Sequence, residues 1–268
     1  MSGSSSRPRV LFVVGSGYSG TTLLDMIVGS HPLARGFGEL RTLDRFMSGD
    51  APCTCGARAT ACAFWRRVMG SLGPEPFQLY PPPAPSIPIL ISQTLRLLHA
   101  LAAVTGARLL VDSSKWVERA RHLHESGELD ARVVHLVRDG RGVVWSHARR
   151  GAPIGEAAEN WRRRNLGTLE WLAAPDAPPH LLVRYEDLAG APEPTIRRVC
   201  ELVELDYRPE MLDFRAADHH LVSGNPMRFE TTTRIAVDEA WRDALTAEDL
   251  ALFTAVAGEL AGRLGYPV

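Results

Sequence analysis

The stretch Val10-Leu-Phe-Val-Val-Gly-Ser-Gly-Tyr-Ser-Gly-Thr-Thr22 decides the fold. Val10–Val14 is a short unbroken apolar run, the pattern of a strand buried on both faces. It feeds a glycine-rich loop with the spacing G-x-x-x-x-G, and a helical pattern starts at Thr21 or Thr22. Strand, glycine loop and helix in that order form a phosphate-binding loop: backbone N–H groups and the positive end of the helix face the anion. A nucleoside-triphosphate loop carries lysine next, to reach the terminal phosphoryl group. Here that residue is Thr21. Gly17, Tyr18, Ser19, Gly20, Thr21 and Thr22 are therefore candidates for holding a phosphate, without the cation that serves triphosphate chemistry.

Three further apolar runs, Leu109–Asp112, Val133–Val137 and Leu181–Tyr185, have the same short, Val- and Leu-rich character. Helical patterns separate them. The alternation predicts an α/β fold, a P-loop-like three-layer sandwich with a central, mainly parallel sheet flanked by helices. Helices are expected from Thr21 to before His31, from near Glu39, and over Ile89–Ala103, Val143–Arg150, Glu156–Leu172, Pro194–Leu205 and Ala247–Leu264. Pro74–Pro88 reads as a surface loop, as does Ser223–Val237. With no repeat or linker, the 268 residues read as one domain, residues 1–8 forming a flexible tail.

The net charge of −1 gives no global attraction to nucleic acid or anionic membrane, so a basic site must be a local cluster. No apolar run in the sequence approaches the roughly 20 residues of a membrane span, and a cytoplasmic location is the expectation. Of 30 basic residues only Lys115 is lysine. Against an arginine-rich background, one lysine marks a position where a compact ammonium is needed. Cys53, Cys55 and Cys62 cluster in C-T-C-G-A-R-A-T-A-C, while Cys200 sits in an apolar helix pattern. The three could hold zinc with a ligand from elsewhere, form one disulfide, or be buried thiols. A structural zinc site usually draws on two ligand pairs, and no second pair is visible, which favours a structural role without metal.

Ligands of parallel α/β sheets bind beyond the carboxyl ends of the strands. Those ends carry the glycine loop, Asp112-Ser-Ser-Lys115, Arg138-Asp-Gly-Arg-Gly142 with Ser146 two turns into the next helix, and Tyr185-Glu-Asp-Leu188. A phosphate nest, a lysine, arginines and hydroxyls on one edge suit a ligand with several anionic groups.

These residues resemble the PAPS-dependent sulfotransferases, PAPS being 3′-phosphoadenosine-5′-phosphosulfate. Ser19-Gly-Thr-Thr22 is similar to their 5′-phosphosulfate loop. Val134-His-Leu-Val-Arg138-Asp with Ser146 resembles their 3′-phosphate motif, and Tyr185-Glu-Asp-Leu188 a segment whose tyrosine lies near the adenine. Ser223-Gly-Asn-Pro-Met-Arg228 with Trp241 looks like the C-terminal nucleotide loop of bacterial members, and Cys53 to Trp65 a stretch of the same proteins. The motifs run in family order over most of the chain. One position departs: the family carries Lys or Arg before S-G-T-T, and this chain carries Tyr18.

The resemblance implies PAPS as donor, 3′-phosphoadenosine-5′-phosphate (PAP) as product, and no metal. Arg138, Ser146 and Arg228 would hold the 3′-phosphate. Lys115, at a strand end as in the tyrosylprotein and some carbohydrate sulfotransferases, would supply the catalytic cation. The K-x-H arrangement of the cytosolic small-molecule type is absent, since Lys115 is followed by Trp116 and Val117. His31-Pro-Leu-Ala-Arg-Gly-Phe-Gly-Glu39 resembles the tyrosylprotein type instead, making Glu39 the base and Arg41 its neighbour. His219 and His220 rank below it. The acceptor would be a hydroxyl-bearing small molecule, carbohydrate or peptide, with Pro74–Pro88 and helices near Trp161 shaping its pocket. Two rivals are a P-loop kinase or ATPase, reading Asp112 as a magnesium ligand, and a nucleotide-binding module that has lost catalysis.

Overall fold

A computed structural model describes residues 7–73, 77–79 and 86–267. Five parallel strands form one sheet in the order β2-β3-β1-β4-β5: β1 Arg9–Val14, β2 Ala34–Gly36, β3 Leu109–Lys115, β4 Asp130–Val137 and β5 His180–Arg184. Helices connect them: α1 Thr21–Gly29, α2 Leu43–Ser48, α3 Ala63–Ser71, α4 Ile87–Thr105, α5 Val117–Glu125, α6 Gly140–Ala148, α7 Ile154–Leu172, α8 Tyr185–Gly190 and α9 Pro192–Leu202. Beyond the sheet lie the short α10 Trp241–Ala244 and the long α11 Ala247–Arg263.

The alternation of β1 explains the layering. Val10, Phe12 and Val14 face a core shared with α3 and α4, whereas Leu11 and Val13 face a second core shared with α1 and α9. A strand buried on both faces needs apolar residues at every position, which is why the run is unbroken. A third apolar cluster joins Val137 to α6, α7 and α11. The three-layer α/β fold expected from the sequence is the one observed.

Several boundaries move. Ala34–Gly36 adds an edge strand that the sequence reading left out, and α3, α5, α8 and α10 are further helices. Ser223–Val237 is irregular as expected, apart from a 3-10 turn over Pro226–Phe229. The expected tail ends early: Pro8 is buried and its carbonyl accepts from Asp130 N–H at 3.0 Å. Of the expected loop Pro74–Pro88, residues 74–76 and 80–85 lie outside the described residues, and Pro88 falls in the first turn of α4. That helix also corrects the membrane reading. Its 19 residues, with a mean hydropathy of 1.5, are long and apolar enough to cross a membrane by length and composition. In this fold 33% of that apolar window is buried, and its Leu97, Leu98 and Leu101 pack in the core.

Candidate active site

The loops after β1, β3 and β4 converge on a cavity of about 720 Å³. Gly17, Tyr18, Gly20, Thr21 and Thr22 line it from the glycine loop, Lys115 from β3, and Arg138, Ser146 and Tyr185 from β4 and beyond, together with Glu39. The strand order changes direction around β1, so these loops splay apart and leave a crevice at the carboxyl edge.

The glycine loop is fixed by its neighbours. Gly15 has φ +141°, and a Cβ there would lie 2.3 Å from the carbonyl oxygen of Leu136 on β4. Gly20 has φ +88°, and a Cβ would lie 2.7 Å from the ring of Tyr185. Both positions demand glycine. The first turn of α1 has neither a side-chain cap nor an acidic residue, so its orphan N–H groups face the cavity with their partial positive charge. Thr22 Oγ1 accepts from Asn225 N–H at 3.0 Å, joining this turn to the C-terminal loop. Ser19 is fully buried and does not line the cavity.

Lys115 reaches the cavity through an irregularity in β3. Phe12 pairs with Asp112 and Val14 with Lys115, so β3 carries one extra residue between those pairs. Such a bulge re-aims the side chain beyond it. Lys115 has φ +61° and Tyr18 φ +63°; two of the four non-glycine residues with positive φ among the described residues thus line this cavity. Strain of this kind concentrates at functional sites.

Lys115 Nζ lies 2.5 Å from Glu39 Oε1, and Arg41 Nη2 donates to Glu39 Oε2 at 3.3 Å. The Glu39 backbone is pinned as well: its N–H donates to Ser223 Oγ at 2.9 Å, and its carbonyl accepts from Thr42 Oγ1 at 3.0 Å. Arg41 is held by Ser114, whose hydroxyl accepts from its backbone N–H at 3.0 Å and whose carbonyl accepts from its Nε at 3.1 Å. Behind this group, Asp25 of α1 accepts from Gly38 N–H at 3.1 Å, and complete burial pushes its carboxyl up to about 7.

Arg138 is buried and fully engaged. Its Nη1 donates to the Tyr18 carbonyl at 3.0 Å, its Nη2 to Asp238 Oδ2 at 3.0 Å, and its guanidinium stacks on Tyr185 at 4.6 Å. Ser146 Oγ donates to the Gly142 carbonyl at 2.9 Å. Arg228 is placed differently from the sequence expectation. It does not line the cavity; its Nη1 donates to the Gly224 carbonyl at 2.6 Å, bracing the loop that does.

Other expected neighbours also sit elsewhere. Trp161 is fully buried and donates to the Arg138 carbonyl at 3.1 Å, so it supports the site from below rather than shaping a pocket. His219 is buried with Nε2 2.6 Å from the Phe214 carbonyl, and His220 joins the cysteine cluster. Asp112 is committed to a buried ion pair with Arg119 at 2.5 Å and accepts from Ser114 N–H at 3.0 Å, which removes it as a magnesium ligand.

Sequence reasoning missed much of the cavity's charge. Its lining includes seven cations (Arg41, Lys115, Arg138, Arg149, Arg150, Arg215, Arg234) against three carboxylates (Glu39, Glu230, Asp238), an excess of four in a chain of net charge −1. Arg150 stacks on the Tyr18 ring at 4.5 Å, and His147 packs edge-on against the same ring at 4.7 Å. A signal existed, since Arg150 lies four residues after Ser146 and shares its side of the helix end.

A strongly basic cavity over a glycine loop and an uncapped helix, with a lysine–glutamate pair at its wall, is a candidate anion-binding site of an α/β fold. The model of the sulfotransferase family matches residues 8–209, and the chain belongs to that family. Over 187 residues it is 30% identical to carbohydrate sulfotransferase 2 of Mus musculus and of Homo sapiens, covering 52% of this chain. The chain spans only about a third of those relatives, 35% of their length. Among solved structures, the sulfotransferase domain from the Synechococcus PCC 7002 olefin synthase aligns with a TM-score of 0.58 and 21% identity, covering 94% of this chain and 95% of that one. The sulfotransferase domain from the curacin biosynthetic pathway gives 0.61 at 18% identity, covering 97% and 99%. At such identities the likeness is one of fold.

Proposed function

We propose that this sulfotransferase moves the sulfuryl group of PAPS to an acceptor hydroxyl by in-line displacement. The observation that carries the reading is Lys115 in contact with Glu39 on the wall of a cavity with a four-charge basic excess beside the glycine loop. The cavity suits a donor with two separate anionic ends, since the uncapped α1 terminus lies at one strand end and Arg138 with Ser146 at the next.

When bound, the donor supplies an activated sulfuryl group on a phosphate leaving group. Glu39 takes the proton of the acceptor hydroxyl. Lys115, the α1 N–H groups and the hydroxyls of Thr21 and Thr22 stabilise the charge that builds on the bridging oxygen. Arg150, stacked on Tyr18, keeps positive charge at the position where the family carries a basic residue. Arg138 and Ser146 select the 3′-phosphate; Arg138 Nη2 must exchange Asp238 for the ligand to do so. The residues need no metal for this step. The named relatives are carbohydrate sulfotransferases, which supports a sugar hydroxyl as acceptor, with phenolic and peptide hydroxyls as further members of the class.

Arg138→Ala is expected to weaken PAP binding by roughly 2–4 kcal/mol, about 30- to 1,000-fold, the loss of a desolvated charge-assisted pair. Affinity for 5′-AMP, which lacks the 3′-phosphate, should change far less. Calorimetry with both ligands checks this. Equal losses for the two would remove Arg138 from 3′-phosphate recognition.

A further inference from the structure

Outside the cavity lining, the fold gathers four side chains that the transfer reaction does not use. Cys53 and Cys55 come from the turn after α2, Cys62 precedes α3, and His220 arrives from the C-terminal third of the chain. Their ligand atoms lie within 4.8 Å of one another. Cys55 Sγ is 3.6 Å from Cys62 Sγ, and His220 Nδ1 is 3.4 Å from Cys62 Sγ and 3.9 Å from Cys53 Sγ. Tetrahedral zinc with Zn–S near 2.3 Å and Zn–N near 2.0–2.1 Å sets ligand separations of about 3.7 Å between sulfurs and about 3.5 Å between sulfur and nitrogen. A disulfide would need a sulfur separation of about 2.0 Å and would leave one thiol of the three unpaired.

We propose that Cys53, Cys55, Cys62 and His220 form a structural zinc site, which ties the cysteine loop to the C-terminal segment that closes the active-site cavity. Two features besides proximity point to a cation. His220 Nε2 faces Asp218 Oδ2 at 3.2 Å, so the carboxylate takes the ring N–H and leaves the Nδ1 lone pair aimed at the sulfurs. The ring of His220 is locked in orientation by stacking on Phe64, with centroids 4.7 Å apart and planes 6° apart, while Trp65 Nε1 donates to its carbonyl at 2.8 Å. Cys53 and Cys62 are buried and Cys55 is exposed, which leaves an entry path for the ion.

Zinc binding displaces the three thiol protons to solvent and joins segments more than 150 residues apart, as the 158-residue separation of Cys62 and His220 shows. Three residues after His220, Ser223 accepts the Glu39 N–H, and Asn225 bonds Thr22. The ion therefore anchors the segment that holds both Glu39 and the glycine-loop helix. The two-pair rule applied to the sequence disfavours such a site, because the fourth ligand stands beside another histidine in an irregular stretch.

The test needs no enzymatic activity. The full chain, produced in zinc-supplemented medium and purified without chelator, should carry about one zinc atom per chain by elemental mass spectrometry. A thiol-blocking mercurial should release it to a chromogenic chelator. Exchange for Co²⁺ should give visible d–d bands and a near-ultraviolet sulfur-to-cobalt band. Cys62→Ser and His220→Asn should abolish retention, and Asp218→Asn should weaken it about 10- to 100-fold. Cys200→Ser, in the opposite core, should retain the ion. Folded wild-type protein with no zinc and no cobalt spectrum, or with Cys55 and Cys62 joined in a disulfide, would overturn the proposal.

Discussion

Replacing Lys115 by alanine is expected to lower turnover by about 10²–10³-fold, the usual cost of deleting one preorganised charge aimed at the transition state. Donor affinity should stay near wild type, because Arg138 and the α1 terminus are untouched. The strength of the expectation lies in placement. A bulge in β3 and a left-handed backbone at φ +61° hold the chain's single lysine 2.5 Å from Glu39. Alanine keeps that backbone strain, so the variant isolates the ammonium. Lys115→Arg should recover only part of the rate, since a planar fork does not replace a compact charge. Single-turnover kinetics with saturating donor make the comparison. An unchanged rate in the alanine variant would remove Lys115 from the chemistry and leave the cationic role to Arg41 or Arg150.

Glu39→Gln should lower kcat by roughly 10²–10⁴-fold, the range for loss of a general base. The amide keeps the shape, and the backbone bonds to Ser223 and Thr42 do not involve the side chain. PAP affinity should therefore hold, and the loss should appear in kcat rather than in donor KM. Because Lys115 and Glu39 touch, their effects will not add: the double variant should lose much less than the product of the two single losses. Wild-type turnover in Glu39→Gln would mean that the acceptor proton leaves by another route.

The parallel sheet and the glycine loop were legible in the sequence because both are local patterns. Four of the five described strands contain a short apolar run, and the loop is a spacing of glycines. The strand Ala34–Gly36 was not, since three residues with arginine in the middle carry no periodicity. Helix α5 was hidden for a related reason: six of its nine residues are charged or histidine, and its buried face rests on Arg119, Ala120 and Leu123. Lys115 and Glu39 could be named one by one, but the contact between them depends on the β3 bulge and on the Ser223 anchor, 184 residues from Glu39. The basic excess of the cavity was least visible. Arg149, Arg150, Arg215 and Arg234 stand outside the quoted motifs, and the fold turns them toward one volume. Arg228 shows the reverse, a motif residue that the fold uses to brace its own loop.

The central claim is that this cavity recognises a nucleotide bearing anions at both the 3′ and 5′ positions. Calorimetry of the wild-type chain as purified, without added magnesium, titrated with PAP, 5′-AMP and ATP in turn, tests it most directly. PAP should bind at least about 30-fold more tightly than 5′-AMP, a difference of about 2 kcal/mol, and ATP should gain nothing when magnesium is added. Equal affinity for PAP and 5′-AMP, or tight binding that appears only with magnesium and ATP, would contradict the account.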